Sequence, residues 1–295
     1  MSYAKQSEIL FLWDGENWNP NGDMLNSNAP RYDEISRKAL VSDVRIKRTI
    51  RDYLESKGFE IFVKETESPK GGLMDGKGRV SALVGSEKDK VEALIQKCID
   101  VRAFGGVFPV DKETNNLTGS IQFKMSKSLN QTEVNYIKGT GAFASKETAQ
   151  NKTFREEYQL SYALFATYGV VNALNSQNTK LTDTDVETII NALWFGTKNL
   201  ISRSKFGQLP RFLLKITYRE AGNYIGGLDN LLVLKTGKPQ ENEIKSIEDY
   251  TIDFSKIKEE LEKHSDKIEK IEYVSDGKLN TENLPSGWTD LKYGI

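Results

Sequence analysis

The sequence predicts an α+β fold, and three stretches carry that prediction. Residues 8–13, EILFLW, form a nearly continuous apolar run with branched and aromatic members, the pattern of a buried strand. Residues 158–171, YQLSYALFATYGVV, alternate strictly, which sets Tyr158, Leu160, Tyr162, Leu164, Ala166, Tyr168 and Val170 on one side of a long strand. Between them, SDVRIKRTIRDYLESKG (residues 42–58) spaces its apolar side chains at helical intervals. Strands and helices interspersed in this way, with strands that need not be parallel, describe α+β rather than alternating parallel units. Neither an internal repeat nor a low-complexity linker divides the 295 residues, so one domain with insertions is expected.

The elements follow in order. After the strand at 8–13 comes NPNGDMLNSNAPRYDE (residues 19–34), rich in turn formers. The helix that follows has Ser42 as N-cap, Asp43 suited to its first turn and Gly58 as its stop. FEIFVKE (59–65) alternates as a second strand, and SPKGGLMDGKGRVS, with Gly85 beyond it, gives a mobile glycine-rich excursion over about 66–86. SEKDKVEALIQKCID is a helix capped by Ser86, with Val91, Leu94, Ile95 and Cys98 on one stripe. GSIQFKMSKSL (119–129) is a strand. The polar stretch at about 130–156 is long for a connection, and such segments are usually functional or disordered. The alternating strand follows, then a helix from Thr182 to about Phe195 and a strand, RFLLKITY.

Composition narrows the function. Hydrophobic residues at 38% and charged residues at 28% are ordinary for a soluble globular chain. Cys98 is the only cysteine and His264 the only histidine, which excludes a disulfide framework, a thiolate metal cage and most histidine-based catalysis. The first apolar run is interrupted by Asp14 too soon for a signal peptide or membrane span, so a cytoplasmic protein is expected. Net charge is −1, yet residues 37–51 carry six basic residues against Asp43 alone, and residues 241–272 carry eleven acidic against six basic. Separated charge of this kind suits a polyanion on one surface and copies of the chain on another.

Around the helix at 42–57, Ile46, Ile50, Tyr53 and Leu54 occupy one arc and form the buried face. Lys47, Arg51 and Arg48 follow on one flank, and Arg45 lies on the other. Lys47 and Arg51 are four apart and stack along the axis, able to reach adjacent phosphates. The alternative is a solvated face with pairs to Asp43, Asp52 and Glu55. A second basic group, NLISRSKFGQLPR, brings Arg203, Lys205 and Arg211 together with Ser202 and Ser204, residue types that position a phosphate backbone without reading its sequence. Neither segment has the glycine-lysine-serine order of a P-loop.

NPNGD after a first strand, NAPRYDE, RKALVSDVRIKRTIRDYL, VRAFGG, GSIQF and SRSKFGQLPR, in that order, resemble the Cas-seven family of CRISPR systems, specifically the type I-B Cascade backbone subunit. The likeness runs from about residue 5 to residue 220; the acidic C-terminal third carries little of it. The resemblance implies an RRM-like (ferredoxin-like) core over 1–295, with insertions that form a thumb hairpin at about 130–156 and a helical lobe. It implies several copies head to tail along one CRISPR RNA, other Cascade subunits as partners, target DNA held through the guide, and no cofactor or membrane. Lys47 and Arg51 match the guide-phosphate positions, with Arg48 and Ser42 next and Arg37, Lys38 and Arg45 in the same basic run. Lys205 matches a basic loop position near the RNA, accompanied by Arg203 and Ser204. Asn19, Asn21 and Gly22 approach the RNA backbone, and Gln122 lies beside its route. Phe143 is the thumb's candidate for an apolar wedge against a base.

The aromatic signature of ordinary RNA-recognition motifs is missing, so phosphate tracking is expected rather than base stacking on the sheet. A subunit that accepts any spacer must leave sequence to base pairing. Two rivals remain. Type III backbone subunits cut RNA through an aspartate and a metal, which directs attention to Asp14, Asp23 and Asp33; Asp23 is also an ordinary turn residue. A metabolic enzyme whose basic helix binds a small phosphorylated ligand predicts a monomer with a discrete pocket.

Overall fold

The computed structural model describes residues 3–110, 113–144 and 152–291, with the side chains of residues 141–144 and 152–154 outside the description. Strand β1 (Ser7–Trp18) is followed by three short strands, β2 (Gly22–Asp23), β3 (Ala29–Pro30) and β4 (Tyr32–Asp33), then by β5 (Lys38–Val41) and helix α1 (Asp43–Ser56). A lobe follows, with α2 (Gly76–Val84), α3 (Lys90–Lys97), α4 (Ile99–Phe104) and the hairpin of β6 (Gly105–Val110) with β7 (Glu113–Thr118). The chain returns through β8 (Ile121–Phe123) and β9 (Ser126–Ser128), then forms a long hairpin of β10 (Val134–Ala144) and β11 (Lys152–Val171). After α5 (Ala173–Thr179), α6 (Asp183–Asn199) and β12 (Leu209–Tyr218), the last third contributes β13 (Val233–Thr236), β14 (Tyr250–Asp253), α7 (Ser255–Lys263), β15 (Ile268–Ser275), β16 (Thr281–Glu282) and β17 (Thr289–Asp290).

The centre of the main sheet runs β12-β1-β11-β9, antiparallel throughout, with β8 also paired to β11. One face packs Ile9 and Phe11 of β1 against Ile46 and Ile50 of α1 and Ile189 and Leu193 of α6. Burying each such aliphatic side chain is worth about 1.5–3 kcal/mol before entropy is charged against it. The opposite face packs Leu10, Leu12 and Phe212 against Tyr250, Phe254 and Ile257 of the last third. Both faces of β11 from residue 160 onward are therefore covered, which explains why Phe165 and Ala163 are as buried as the alternate row that includes Leu164.

Two buried carboxylates fasten the last third to the sheet. Glu8 accepts hydrogen bonds from the hydroxyls of Tyr168 and Tyr218 and from the backbone N–H groups of Ile225 and Gly226. Asp14 accepts from Arg211 Nε at 2.7 Å and from the Tyr162 hydroxyl at 2.6 Å, while Arg211 also donates to Asp276. Burial raises the Asp14 pKa above the ordinary carboxylate value, with Arg211 opposing. A third, smaller core in the lobe joins Phe62, Val80, Leu94, Ile95 and Phe108. Cys98 belongs to it, its thiol pushed up to about 12 by burial.

Several elements differ from expectation. FEIFVKE is not a strand. Side chains take several of its backbone groups: Phe62 and Val63 donate to Asp100, and the carbonyls of Ile61 and Phe62 accept from Arg79. The glycine-rich excursion is half helix, because Asp75 caps Gly78 and Val80 and Val84 find the lobe core. The next helix starts at Lys90 with Asp89 as its cap rather than Ser86. Residues 119–129 form two short strands, and α5 and the β6–β7 hairpin went unforeseen. α6 starts as expected, with Thr182 and Asp185 forming a capping box. Among the described residues no helix is long and apolar enough to cross a membrane.

Candidate nucleic-acid interface

The stretch from Asn19 to Ser42 is a braced turn. Asn19 donates from its backbone to the Ser204 carbonyl and from its side chain to the Asn28 carbonyl. The Asn21 side-chain oxygen accepts both the N–H and the hydroxyl of Ser42, so Ser42 holds the start of α1 through Asn21 rather than by capping the helix itself. Gly22 is required by close approach: an added Cβ would lie 2.1 Å from Asn28 Oδ1, and Gly22 has no positive φ. Close approach, and not conformational freedom, is why glycine stands there. Met24 and Leu25 stand out at the tip, 90% and 98% exposed.

On α1 the buried arc contains Ile46, Ile50 and Leu54, with Tyr53 half-buried beside Phe195. The cations divide into two groups. Lys47 is 9% exposed and donates to Asp43 and to Gln122 Oε1, with the Phe104 ring 5.8 Å away. Arg48 pairs with Asp52. Arg51 donates to the fully buried Asp100 at 2.9 Å and lies over the same Phe104 ring. The intrahelical pairs weighed as an alternative are thus present for Lys47 and Arg48. Arg45 differs, since its guanidinium donates to the Thr49 hydroxyl and has no carboxylate ion pair among the described residues.

Lys205 comes from the loop between α6 and β12, on the same side as Arg45. It reaches only the Ser204 hydroxyl, at 3.3 Å, and also has no ion pair among the described residues. Burial lowers the pKa of both groups; the charge of Arg45 lowers Lys205 further, while Arg48 adds to and Asp52 opposes the shift of Arg45. Two partly buried cations that repel each other and have no carboxylate ion pair among the described residues make a place where an anion is stabilised.

The other expected residues scatter. Arg203 pairs with Glu157, which also holds Arg155, beside a cavity of about 370 Å³ that Asn19, Ser202 and Ser204 help to line. Arg37 is exposed with φ +56° at the turn before β5, and Lys38 donates to the Leu129 carbonyl. Gln122 is exposed beside Lys47. Phe143 lies on β10, and its side chain is outside the described residues. Arg211 of the second basic group is buried and paired with both Asp14 and Asp276. Sequence reasoning missed Asp100 and Phe104, which set Arg51; only their place in VRAFGG and its neighbours hinted at them.

The family model for CRISPR-associated protein Cas7 matches residues 5–255. The chain belongs to the Cas7 family. A CRISPR-associated protein Cas7 of Haloferax volcanii is 33% identical over 305 residues, covering 95% of this chain and 89% of the relative. Two solved structures share the fold: a chain of a "CRISPR RNA-guided surveillance complex, pre-nicking", with TM-score 0.54, 12% identity and coverage of 97% and 95%, and one of a "CRISPR RNA-guided surveillance complex", with TM-score 0.52, 15% identity and coverage of 95% and 95%.

In this Cas7 chain the carboxylates considered for metal chemistry are engaged otherwise. Asp33 accepts from Ser36 Oγ and from the N–H groups of Ile35 and Ser36, which lowers its pKa. Asp23 accepts from Leu25 N–H and faces Arg31 at 3.6 Å, and Asp14 is consumed by Arg211. Among the described residues no three His, Cys, Asp or Glu side chains gather in a metal-holding group.

Proposed function

We propose that this chain grips a single-stranded guide RNA by its phosphates, as one of several head-to-tail copies in a type I-B Cascade, and engages target DNA only through the guide. The observation that carries this reading is the convergence of Arg45 and Lys205 from separate elements with no carboxylate ion pair among the described residues. The relative's name and the RNA-guided complexes that share the fold support RNA as the polyanion. The sheet order β12-β1-β11-β9 with α1 and α6 on one face supports an RRM-like core, and the β10–β11 hairpin is read as the thumb, with Phe143 near its tip.

The last third fills the sheet face on which RNA-recognition motifs stack bases, which supports phosphate tracking here. Lys47 and Arg48 join the grip by exchanging Asp43 and Asp52 for phosphate, while Ser42, Asn21 and Gly22 hold the lip from which the helix starts. Arg37, Lys38, Arg203, Ser204 and Gln122 complete the guide-facing set, and Asn19 ties the lip to the basic loop. Head-to-tail contact is heterologous and does not close, so the RNA sets the length of the assembly. The protein works in the cytoplasm with other Cascade subunits and without a cofactor. The internal engagement of Asp23 and Asp33 supports a subunit that does not cut.

The test is the RNA content of the purified particle. Wild type is expected to carry guide RNA, and Arg45→Glu with Lys205→Glu to lose it while remaining folded; retention of RNA by the double variant would sink the proposal. Incubation with matched RNA and Mg²⁺ addresses cutting: cleavage by wild type that disappears in Asp23→Ala or Asp33→Ala would place the chain among the cutting backbones instead.

A further inference from the structure

The loop between α6 and β12 reads ISRSKFG, residues 201–207. Its backbone is fixed. Lys205 N–H donates to the Ser202 carbonyl, the Ser204 carbonyl accepts from Asn19, and Gln208, 5% exposed, donates to the Thr197 carbonyl at the end of α6. Gly207 has φ +87°, the left-handed conformation that suits glycine and turns the chain into β12. On this fixed loop Phe206 is 67% exposed. Among the described residues no second ring or cation touches it and no apolar cluster receives it.

A single exposed apolar side chain is ordinary on a protein surface. Phe206 differs by its company, since the neighbouring residue is Lys205, whose cation bonds only the Ser204 hydroxyl, has no ion pair among the described residues and feels the charge of Arg45. An exposed aromatic side chain next in the chain to such a cation suits single-stranded nucleic acid: cations follow the phosphates and the ring stacks on a base of any identity. We infer that Phe206 is a stacking platform for one base of the bound RNA strand, adjacent to the Arg45 and Lys205 phosphate seat. The stacking expected to be absent from the sheet face, now covered by the last third, is supplied by a loop instead. One base per copy is held without its edge being read, compatible with a subunit that accepts any sequence.

The inference rests on the guide-binding reading, and its test separates the two. The full chain is titrated with a mixed-sequence 30-nucleotide RNA and with an abasic ribose-phosphate oligomer of equal length, at several salt concentrations. Phe206→Ala is expected to weaken RNA binding roughly 5- to 100-fold, from the stacking loss per base, with the abasic oligomer and the salt slope unaffected. Phe206→Trp is expected to restore affinity, with an added indole emission quenched by RNA and not by the abasic oligomer. Arg45→Ala and Lys205→Ala lower the salt slope for both ligands. Phe206→Ala binding RNA within twofold of wild type, or unquenched Phe206→Trp, overturns the stacking inference alone; wild type failing to bind RNA overturns both.

Discussion

Asp100 is the residue whose removal tests most of the interior reasoning. Its carboxylate is fully buried and serves three donors: Phe62 N–H at 2.8 Å, Val63 N–H at 3.1 Å and Arg51 Nε at 2.9 Å. It thereby joins the 59–65 segment, the lobe and the basic helix at one point. Asp100→Ala leaves the Arg51 guanidinium, whose side chain is 12% exposed, without its counter-charge. It also removes the acceptor from two backbone donors in the interior. Breaking a buried pair from one side costs about 3–5 kcal/mol, and each orphaned donor lies within that same range of penalty rather than adding to it in full. At roughly 2–4 °C per kcal/mol for a large domain, the expected loss in Tm is about 10 °C. A thermal melt followed by circular dichroism measures that loss, and urea unfolding measures the free energy, together with a cycle over Arg51→Met and Asp100→Ala. The cycle should return a coupling of about 1–3 kcal/mol, because the residues touch. A loss under about 1 kcal/mol with an additive cycle would refute the account of Asp100 as the joint.

The remaining expectations are smaller in scope. For a single-stranded ligand, each of Arg45→Ala and Lys205→Ala should reduce the slope of log binding constant against log salt by about 0.7; unchanged slopes would mean that these cations do not meet phosphate. Gly22→Ala should destabilise the braced turn by about 1–3 kcal/mol through overpacking on Asn28, and Asn28→Ala should relieve much of that loss in urea titrations. In acid, Asp185 and Asp253 have pKa values held below the ordinary 3.8; Asp253 chiefly by its hydrogen bond to Lys235, and Asp185 by its bonds to Arg102 outweighing burial. Their stabilisation is complete above that value and is lost as pH falls through the lower folded values, whereas raised Asp14 works oppositely, favouring the fold as pH falls toward 3.8. Asp253→Asn should flatten the acid limb of stability measured from pH 5 to pH 2.5, and an unaltered limb would contradict this. Cys98, buried with its thiol pushed up to about 12, should resist iodoacetamide in the native chain and react fully in urea.

The helix at 42–57 was legible because its apolar spacing and its glycine stop are local, and β1, β11, α6 and β12 were legible for similar reasons. FEIFVKE misled because alternation reports which side chains are buried, and not whether a neighbouring strand exists to take the backbone bonds. Asp100 and Arg79 satisfy part of that backbone, Asp100 from 37 residues beyond Val63 and Arg79 from 17 beyond Phe62. On α1 and the 201–207 loop, the sequence shows that the segments are basic but not the state of each cation. Lys47 and Arg51 look like an unobstructed pair on a helical wheel, yet Gln122, Phe104 and Asp100 arrive from elsewhere to occupy them. Phe206 was unremarkable beside its serines and lysine until its exposure was known.

Periodicity and motif order, which depend on residues close together in the chain, determined the class of fold, the basic character of α1 and of the 201–207 loop, and the family. Which charges stay unpaired, and which sheet face stays open, depends on partners far apart in sequence. Only the tertiary structure decided that Arg45 and Lys205 have no carboxylate ion pair among the described residues while Arg51 and Arg211 have one, and that an acidic last third closes the second face of the sheet. Pairing energy is set by distance and burial in space, and neither is written in local spacing.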